Sequence, residues 1–235
     1  MKRSTERILV THAGSLPRPE DLWEMLIAKS NDQPYDREIF AKRLRRAVAE
    51  VVKKQIDCGI DIVNDGEFGK HSFSDYARER LGGYVERAPD PDERPPAIFG
   101  RDLVDFPEYF NSKGGRAVVG RHAMRFFCNV PIKYIGHAAV KTDIENFTAA
   151  LQGVKVEEAF LPAVAPGTIE HRLKNEYYPN DEAYVYALAD AMHEEYKAIV
   201  DAGFILQIDD PDLAGGWQLH SHMSVSAYRD FAGLG

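Results

Sequence analysis

The chain has 235 residues, 44% of them hydrophobic and 28% charged, with a net charge of −8; that is enough to bury a real core in a soluble globular protein. The acidic balance argues against nucleic acid or an anionic membrane as the main partner, and the two cysteines, Cys58 and Cys128, supply neither a disulfide framework nor zinc-motif spacing and read as small buried hydrophobes. No apolar run approaches the ~20 residues of a membrane helix, and the basic start at residues 1–7 has no apolar signal core behind it, so a soluble, cytoplasmic protein is expected.

In chain order, residues 8–11 (ILVT) read as a short buried strand. It leads into His12-Ala13-Gly14-Ser15-Leu16-Pro17-Arg18-Pro19, where Gly14 permits a tight turn and the prolines rule out helix or inner strand. A short helix is predicted from about Pro19 to Ser30, with Leu22, Met25 and Leu26 on one side. Asp36 can cap a long helix whose apolar positions Phe40, Leu44, Ala47, Val48, Val51 and Val52 keep a helical period. Its basic outer face reads as solvated rather than as a nucleic-acid patch, and Gly59 ends it.

Ile60-Asp61-Ile62-Val63-Asn64-Asp65-Gly66-Glu67 follows as a strand that finishes in acids. Residues 73–81 predict another helix. Residues 82–115, rich in proline and glycine, read as an excursion within one domain rather than a linker, because strand–helix units resume afterwards. Extended segments are expected around Arg121-His122 and Phe126-Phe127, and a strand over 132–136. Thr142-Asp143-Ile144-Glu145 fits a capping box that would start a helix running to about Gln152. Another strand over 156–164 is closed by Ala165-Pro166-Gly167-Thr168. Asn180 can cap a helix buried along Tyr184, Leu188, Ala191, Met192, Ile199 and Val200, ending at Gly203. Phe204-Ile205-Leu206-Gln207-Ile208-Asp209-Asp210-Pro211 then runs from apolar strand into carboxylates, with Phe204, Leu206 and Ile208 on one face and Gln207 and Asp209 on the other. A last helix starts near Ser224.

About five strands alternating with helices give an α/β fold, either an open doubly wound sheet or part of an eight-fold barrel. The dinucleotide fingerprint and the phosphate-binding lysine loop are both absent. In such folds ligands gather beyond the carboxyl ends of the strands. The Gly14-Ser15 amides and the Ser15 hydroxyl can receive a carboxylate, and Glu67 and Asp209 can pair with an ammonium group. Together they complement a zwitterionic amino acid; acids at strand ends also serve as helix caps, and that alternative stands beside it. His220 and His222 share a loop and could touch a metal or simply line a polar loop. His12 could contact substrate or bond a strand end, and Tyr177 and Tyr178 could line a pocket mouth.

Three segments resemble the catalytic barrel of the cobalamin-independent methionine synthase family: HAGSLPR at 12–18, the stretch from Gln55 to Glu67, and LQIDDPDLA at 206–214. The resemblance implies a (β/α)8 TIM barrel of the methionine synthase/uroporphyrinogen decarboxylase type, incomplete at about five of eight strands, with residues 1–235 forming one partial catalytic domain. It implies transfer of a methyl group from a 5-methyltetrahydrofolate-type donor to the thiol of homocysteine held on Zn2+. Matched residue by residue, Ala13, Gly14, Ser15, Glu67 and Asp209 are the homocysteine-binding positions. The family's zinc ligands are expected beyond residue 235, so no residue here is assigned to metal or to proton transfer, and the chain is expected to be a fragment, a homo-oligomer or one completed by another chain. Where the family carries a tryptophan against the pterin, this chain reads Leu161-Pro162-Ala163-Val164-Ala165-Pro166. It resembles a shorter, single-barrel branch, which leaves three alternatives open: an epoxide-opening thiol alkyltransferase, a non-catalytic homologue that binds an amino acid, and a barrel decarboxylase drawing on Arg18 and Arg121.

Overall fold

A computed structural model describes residues 1–73, 75–88, 102, 105–112, 125–218, 220 and 223–233. The chain divides into two compact units. Unit 1 holds Met1–Arg80, Tyr134–Val164 and His193–Asp209; unit 2 holds Leu81–Lys133, Ala165–Met192 and Asp210–Gly235. Among the described residues six strands form two three-stranded sheets.

Unit 1 is built on a parallel sheet in the order β1 (Ile62–Val63), β4 (Glu158–Val164), β6 (Ile205–Asp209). Central β4 is buried from Phe160 to Val164, as expected of a strand covered on both faces. Pro162 brings no N–H to that strand. At that level β1 has already ended, and the Pro162 carbonyl accepts from the Lys70 ammonium instead of from a neighbouring strand. Helices α1 (Glu20–Ser30), α2 (Arg37–Asp57) and α5 (His137–Ala150) cover the sheet.

Helix α2 forms where its sequence directs. The Asp36 carboxylate accepts from the Glu38 and Ile39 amides at 2.9 Å, and Gly59 closes the end at φ +83°. Leu44, Ala47, Val48, Val51 and Val52 are buried in one cluster with Val63, Phe147 and Leu161, each large side chain contributing about 1.5–3 kcal/mol. Its outer face carries Arg46–Glu50 and Lys53–Asp57 pairs one turn apart, worth only a few tenths of a kcal/mol each.

Several expectations are corrected. Residues 8–11 form no strand and are not buried: Ile8 is 82% exposed. They lie beside β1 through two amides that donate to the Val10 carbonyl, too few bonds for a ladder. The helix expected over 73–81 is confined to α3 (Ala77–Arg80), and Leu81 opens β2 (Leu81–Arg87). Thr142 starts nothing: α5 begins at His137, and the Thr142 hydroxyl donates back to the Ala138 carbonyl inside the helix. Of the apolar face expected on β6, Ile208 is half exposed. Cys58 is exposed at the end of α2, and only Cys128 is buried.

Unit 2 contains the sheet β2, β3 (Arg125–Tyr134, whose last residue belongs to unit 1) and β5 (Leu173–Asn175). The Ala165–Thr168 segment does not merely close β4. Pro166 is the first residue of helix α6 (Pro166–Arg172), a position that needs no N–H. The Tyr184 hydroxyl, buried in α7 (Asp181–Asp201), donates to the Leu173 carbonyl at 2.6 Å. Asn180 caps α7 through Ala183, and Ser224 caps α9 (Val225–Ala232) through Ala227. The short helices α4 (Pro107–Asn111) and α8 (Asp212–Gly215), with a 3-10 turn at Gly216–Gln218, also belong to unit 2. Much of the 82–115 excursion, together with Arg121, Ser221 and His222, lies outside the described residues.

Candidate functional site

The site grows from the turn that follows β1. Residues 64–67 fold back on themselves: Asn64 Oδ1 accepts from Gly66 N at 2.7 Å, and Asp65 Oδ1 accepts from Glu67 N at 2.9 Å. The turn requires Gly66 at φ +68° and forces Glu67 to φ +57°. For a side chain without an oxygen near its own backbone, that conformation costs about 1–2 kcal/mol. Surrounding groups hold it there. Leu16 N donates to the Gly66 carbonyl at 3.2 Å. Arg18 Nη2 donates to the carbonyls of both Glu67 (2.7 Å) and Lys70 (2.5 Å).

The outcome is a carboxylate aimed from a fixed turn. Glu67 is 1% exposed. One oxygen, Oε2, accepts from the Ser15 hydroxyl at 2.9 Å; the other, Oε1, is buried and has no partner. A buried carboxylate oxygen left without a donor costs about 1–3 kcal/mol or more, and a ligand's N–H is what would satisfy it. Ser15 stands at the surface, in the turn that Gly14 enters at φ +84°. His12 closes that turn through its own Nε2 and the Gly14 carbonyl, 2.9 Å apart.

Behind the turn lies a cluster of buried charge. Lys70 stands over the Tyr76 ring at 4.3 Å, and Arg80 lies against the same ring at 5.2 Å. The Tyr76 hydroxyl donates to Glu195 at 3.0 Å and accepts from Val164 N at 3.1 Å, at the carboxyl end of β4. Glu195 also accepts from Arg80 (3.0 Å) and Tyr134 (2.7 Å), and Arg80 donates to Asp143 at 2.6 Å. Burial opposes the Arg80 charge, but Asp143 and Glu195 outweigh it and raise its pKa. Asp65 is the contrary case: burial pushes its carboxyl up to about 6 despite the nearby Lys70.

Of the five residues singled out in the sequence, the structure joins Ser15 and Glu67 directly, with Ala13 and Gly14 in the same turn as Ser15. Asp209 is placed differently. It is the last residue of β6, in register with Val164, and its carboxylate accepts from Gln207 at 2.8 Å. Because β1, β4 and β6 are parallel, Asp209 and the turn after β1 share one end of the sheet. Two strand spacings, about 10 Å, separate the β1 and β6 axes, and among the described residues the Glu67 carboxylate is bonded to Ser15 and that of Asp209 to Gln207. From sequence Arg18 stands out only for a decarboxylase; its role in the turn depends on a carbonyl nearly fifty residues away, which no local pattern reveals.

Other candidates belong elsewhere. His220 packs against Phe231, with ring centroids 4.5 Å apart. The Tyr178 hydroxyl accepts from Ile132 N, while Tyr177 is half exposed. Unit 2 has a cleft of ≈ 100 Å³, partly open to solvent, beside Glu170, His171, Asp212 and Tyr228; none of the five predicted residues lines it. Among the described residues no three His, Cys, Asp or Glu side chains converge to hold a metal ion, so this donor set does not fit zinc. Nor is any described helix long and apolar enough to cross a membrane.

Comparison with known proteins follows the same line. No protein-family model matches the chain. Methionine synthase of Sulfolobus acidocaldarius is 27% identical over 207 residues, covering 86% of this chain and 51% of that protein. Methionine synthase of Pyrococcus furiosus is 25% identical over 201 residues, covering 85% and 51%. The chain thus spans about half the length of the curated relatives it matches. Among solved structures, a B12-independent methionine synthase from Shewanella sp. in complex with selenomethionine superposes with a TM-score of 0.57 at 20% identity, over 87% of this chain and 52% of that one. At that identity the likeness speaks to fold, an α/β partial barrel of the (β/α)8 type. The resemblance carried by the three motifs holds: in sequence and in fold the chain is similar to the cobalamin-independent methionine synthase family.

Proposed function

We propose that this chain grips homocysteine by its amino-acid end, as the thiol acceptor of a methyl transfer that makes methionine. The observation that carries the reading is Glu67: a buried carboxylate with Ser15 on one oxygen and nothing on the other. An α-ammonium group supplies the missing donor, and the exposed turn at Ala13, Gly14 and Ser15 offers hydrogen-bond donors to the α-carboxylate. Asp209, at the same end of the sheet, is the second acid for the ammonium group.

The remainder of the reading rests on the resemblance. The acting unit is one partial catalytic barrel, with 82–115 as an excursion, in a cytoplasmic protein. The methyl donor is of the 5-methyltetrahydrofolate type. Zinc, which would keep the thiol ionised, finds no ligand set among the described residues, and no step is assigned to it here. These residues bind and orient the acceptor. A second reading keeps the same grip: a homologue that binds an amino acid without turning it over. An epoxide-opening alkyltransferase is less well matched, since a sulfonate-bearing thiol would meet the Glu67 carboxylate with like charge.

Calorimetric titration distinguishes these. Homocysteine is expected to bind at least about tenfold more tightly than its des-amino analogue, mercaptobutanoate, the worth of one charge-assisted hydrogen bond. Equal affinities would remove Glu67 and Asp209 from ammonium recognition, and tighter binding of mercaptoethanesulfonate would favour the epoxide-opening type. Methyl transfer assayed with added zinc separates the enzyme from the amino-acid binder.

A further inference from the structure

We infer that Arg18 is a positioning residue for Glu67, holding the turn that aims the buried carboxylate at a substrate ammonium. The inference rests on the reading of the site proposed above and goes beyond it, because Arg18 is given no substrate contact.

Three observations carry it. First, the Arg18 guanidinium makes no direct hydrogen bond to a carboxylate among those of the described residues; its Nη2 donates to two backbone carbonyls instead, those of Glu67 and Lys70. These carbonyls bracket the turn from which Glu67 projects, and the turn's own closing bond, Lys70 N to Glu67 O, is 3.1 Å long. One nitrogen therefore pins both ends of a turn whose first residue sits at φ +57°, a conformation that persists only when neighbours impose it. Second, the guanidinium is itself fixed. It lies against the Trp23 ring with its carbon 5.7 Å from the centroid, and its buried Nε has no partner, so its place is set by the carbonyls and the ring. Third, its charge acts on Glu67. Burial presses the Arg18 pKa down while Glu67 and then Asp65 press it back up. The cation is thus held by attraction to the acids of the turn it clasps. A lysine keeps the charge but not the planar fork stacked on Trp23.

The test compares the unmodified protein with Arg18→Met and Arg18→Lys, titrating homocysteine and mercaptobutanoate. Arg18→Met is expected to weaken homocysteine binding by about 10–100-fold and to leave mercaptobutanoate unchanged. Arg18→Lys, which keeps the charge but not the planar fork, is expected to fall between. A merely structural role would weaken both ligands alike; that result for Arg18→Met, or unchanged homocysteine binding, overturns the inference. If Arg18→Met does not fold, Arg18→Lys decides: homocysteine binding equal to that of the unmodified protein overturns it, and a selective loss supports it. Equal binding of the two ligands by the unmodified protein would sink the reading of the site itself, and the inference with it, before any variant is made.

Discussion

Two strands of the same sheet end in acids, and the fold treats them oppositely. After β1 the chain turns inward: Asp65, Gly66, Glu67 and Lys70 are all buried, and the turn is held by Leu16, Ser15 and Arg18. After β6 it stays open: Asp209 is half-buried, with Gln207 as its side-chain hydrogen-bond partner among the described residues, and Ile208 is half exposed. In sequence the two ends look alike, an apolar run followed by carboxylates. What separates them is the supply of donors and cations from distant parts of the chain, which makes burying charge tolerable at one end and unnecessary at the other.

The comparison is broken most forcefully from the closed end. Glu195 accepts from Tyr76, Arg80 and Tyr134 in a region almost without solvent. Glu195→Ala leaves Arg80 buried with Asp143 alone and is expected to cost about 3–5 kcal/mol in urea unfolding. A loss below about 1 kcal/mol would mean that water already enters the cluster.

Next comes the pH dependence of Asp65. Its pKa is raised by burial from 3.8 to about 6 in the folded protein. The folded state therefore holds this proton more tightly than the unfolded one. The resulting stabilisation is complete below about pH 4 and is lost as pH rises through about 6, a change of about 3 kcal/mol. Asp65→Asn keeps the Oδ1 acceptor for Glu67 N and removes the titration. The stability of the unmodified protein relative to Asp65→Asn should fall by that amount between pH 4 and pH 7. A flat difference would show that Lys70 fully compensates the charge.

At the open end the expected effect is on affinity rather than folding. Asp209→Asn should weaken homocysteine binding by about 1.5–3 kcal/mol and change stability by less than about 0.5 kcal/mol. Unchanged binding would leave Glu67 as the sole acid of the grip.

The smallest contrast lies in two glycines. Both have positive φ, but a Cβ at Gly66 would sit 3.0 Å from the Phe68 ring and 3.3 Å from Val51, whereas one at Gly203, before β6, meets nothing within 4 Å. Gly203→Ala should cost about 1 kcal/mol for conformation alone. Gly66→Ala should cost about 2 kcal/mol, the excess being crowding. Equal thermal shifts would mean that the turn after β1 gives way more easily than its bonds suggest.

Much of this protein could be read without coordinates where the physics is local. Asp36 and Asn180 were legible as caps, and Ser224 as the place near which a helix starts, because capping needs one side chain and an amide or two just downstream. The apolar face of α2 and the buried run of β4 followed from period and hydrophobicity. The segment at 8–11 misled because an apolar run signals burial only if a partner strand reaches it. Thr142 misled because the capping pattern has the same letters inside a helix as at its start.

What the sequence by itself determined is therefore the set of elements whose reasons lie within a few residues, and the resemblance carried by three motifs. Tertiary structure alone decided which of two acidic strand ends is buried, that Ser15 meets Glu67, and that Arg18 clasps a turn nearly fifty residues downstream. The physical reason is desolvation. Whether a carboxylate is a surface ornament or an aimed, unpartnered acceptor depends on which groups surround it in space, and chain order does not carry that information.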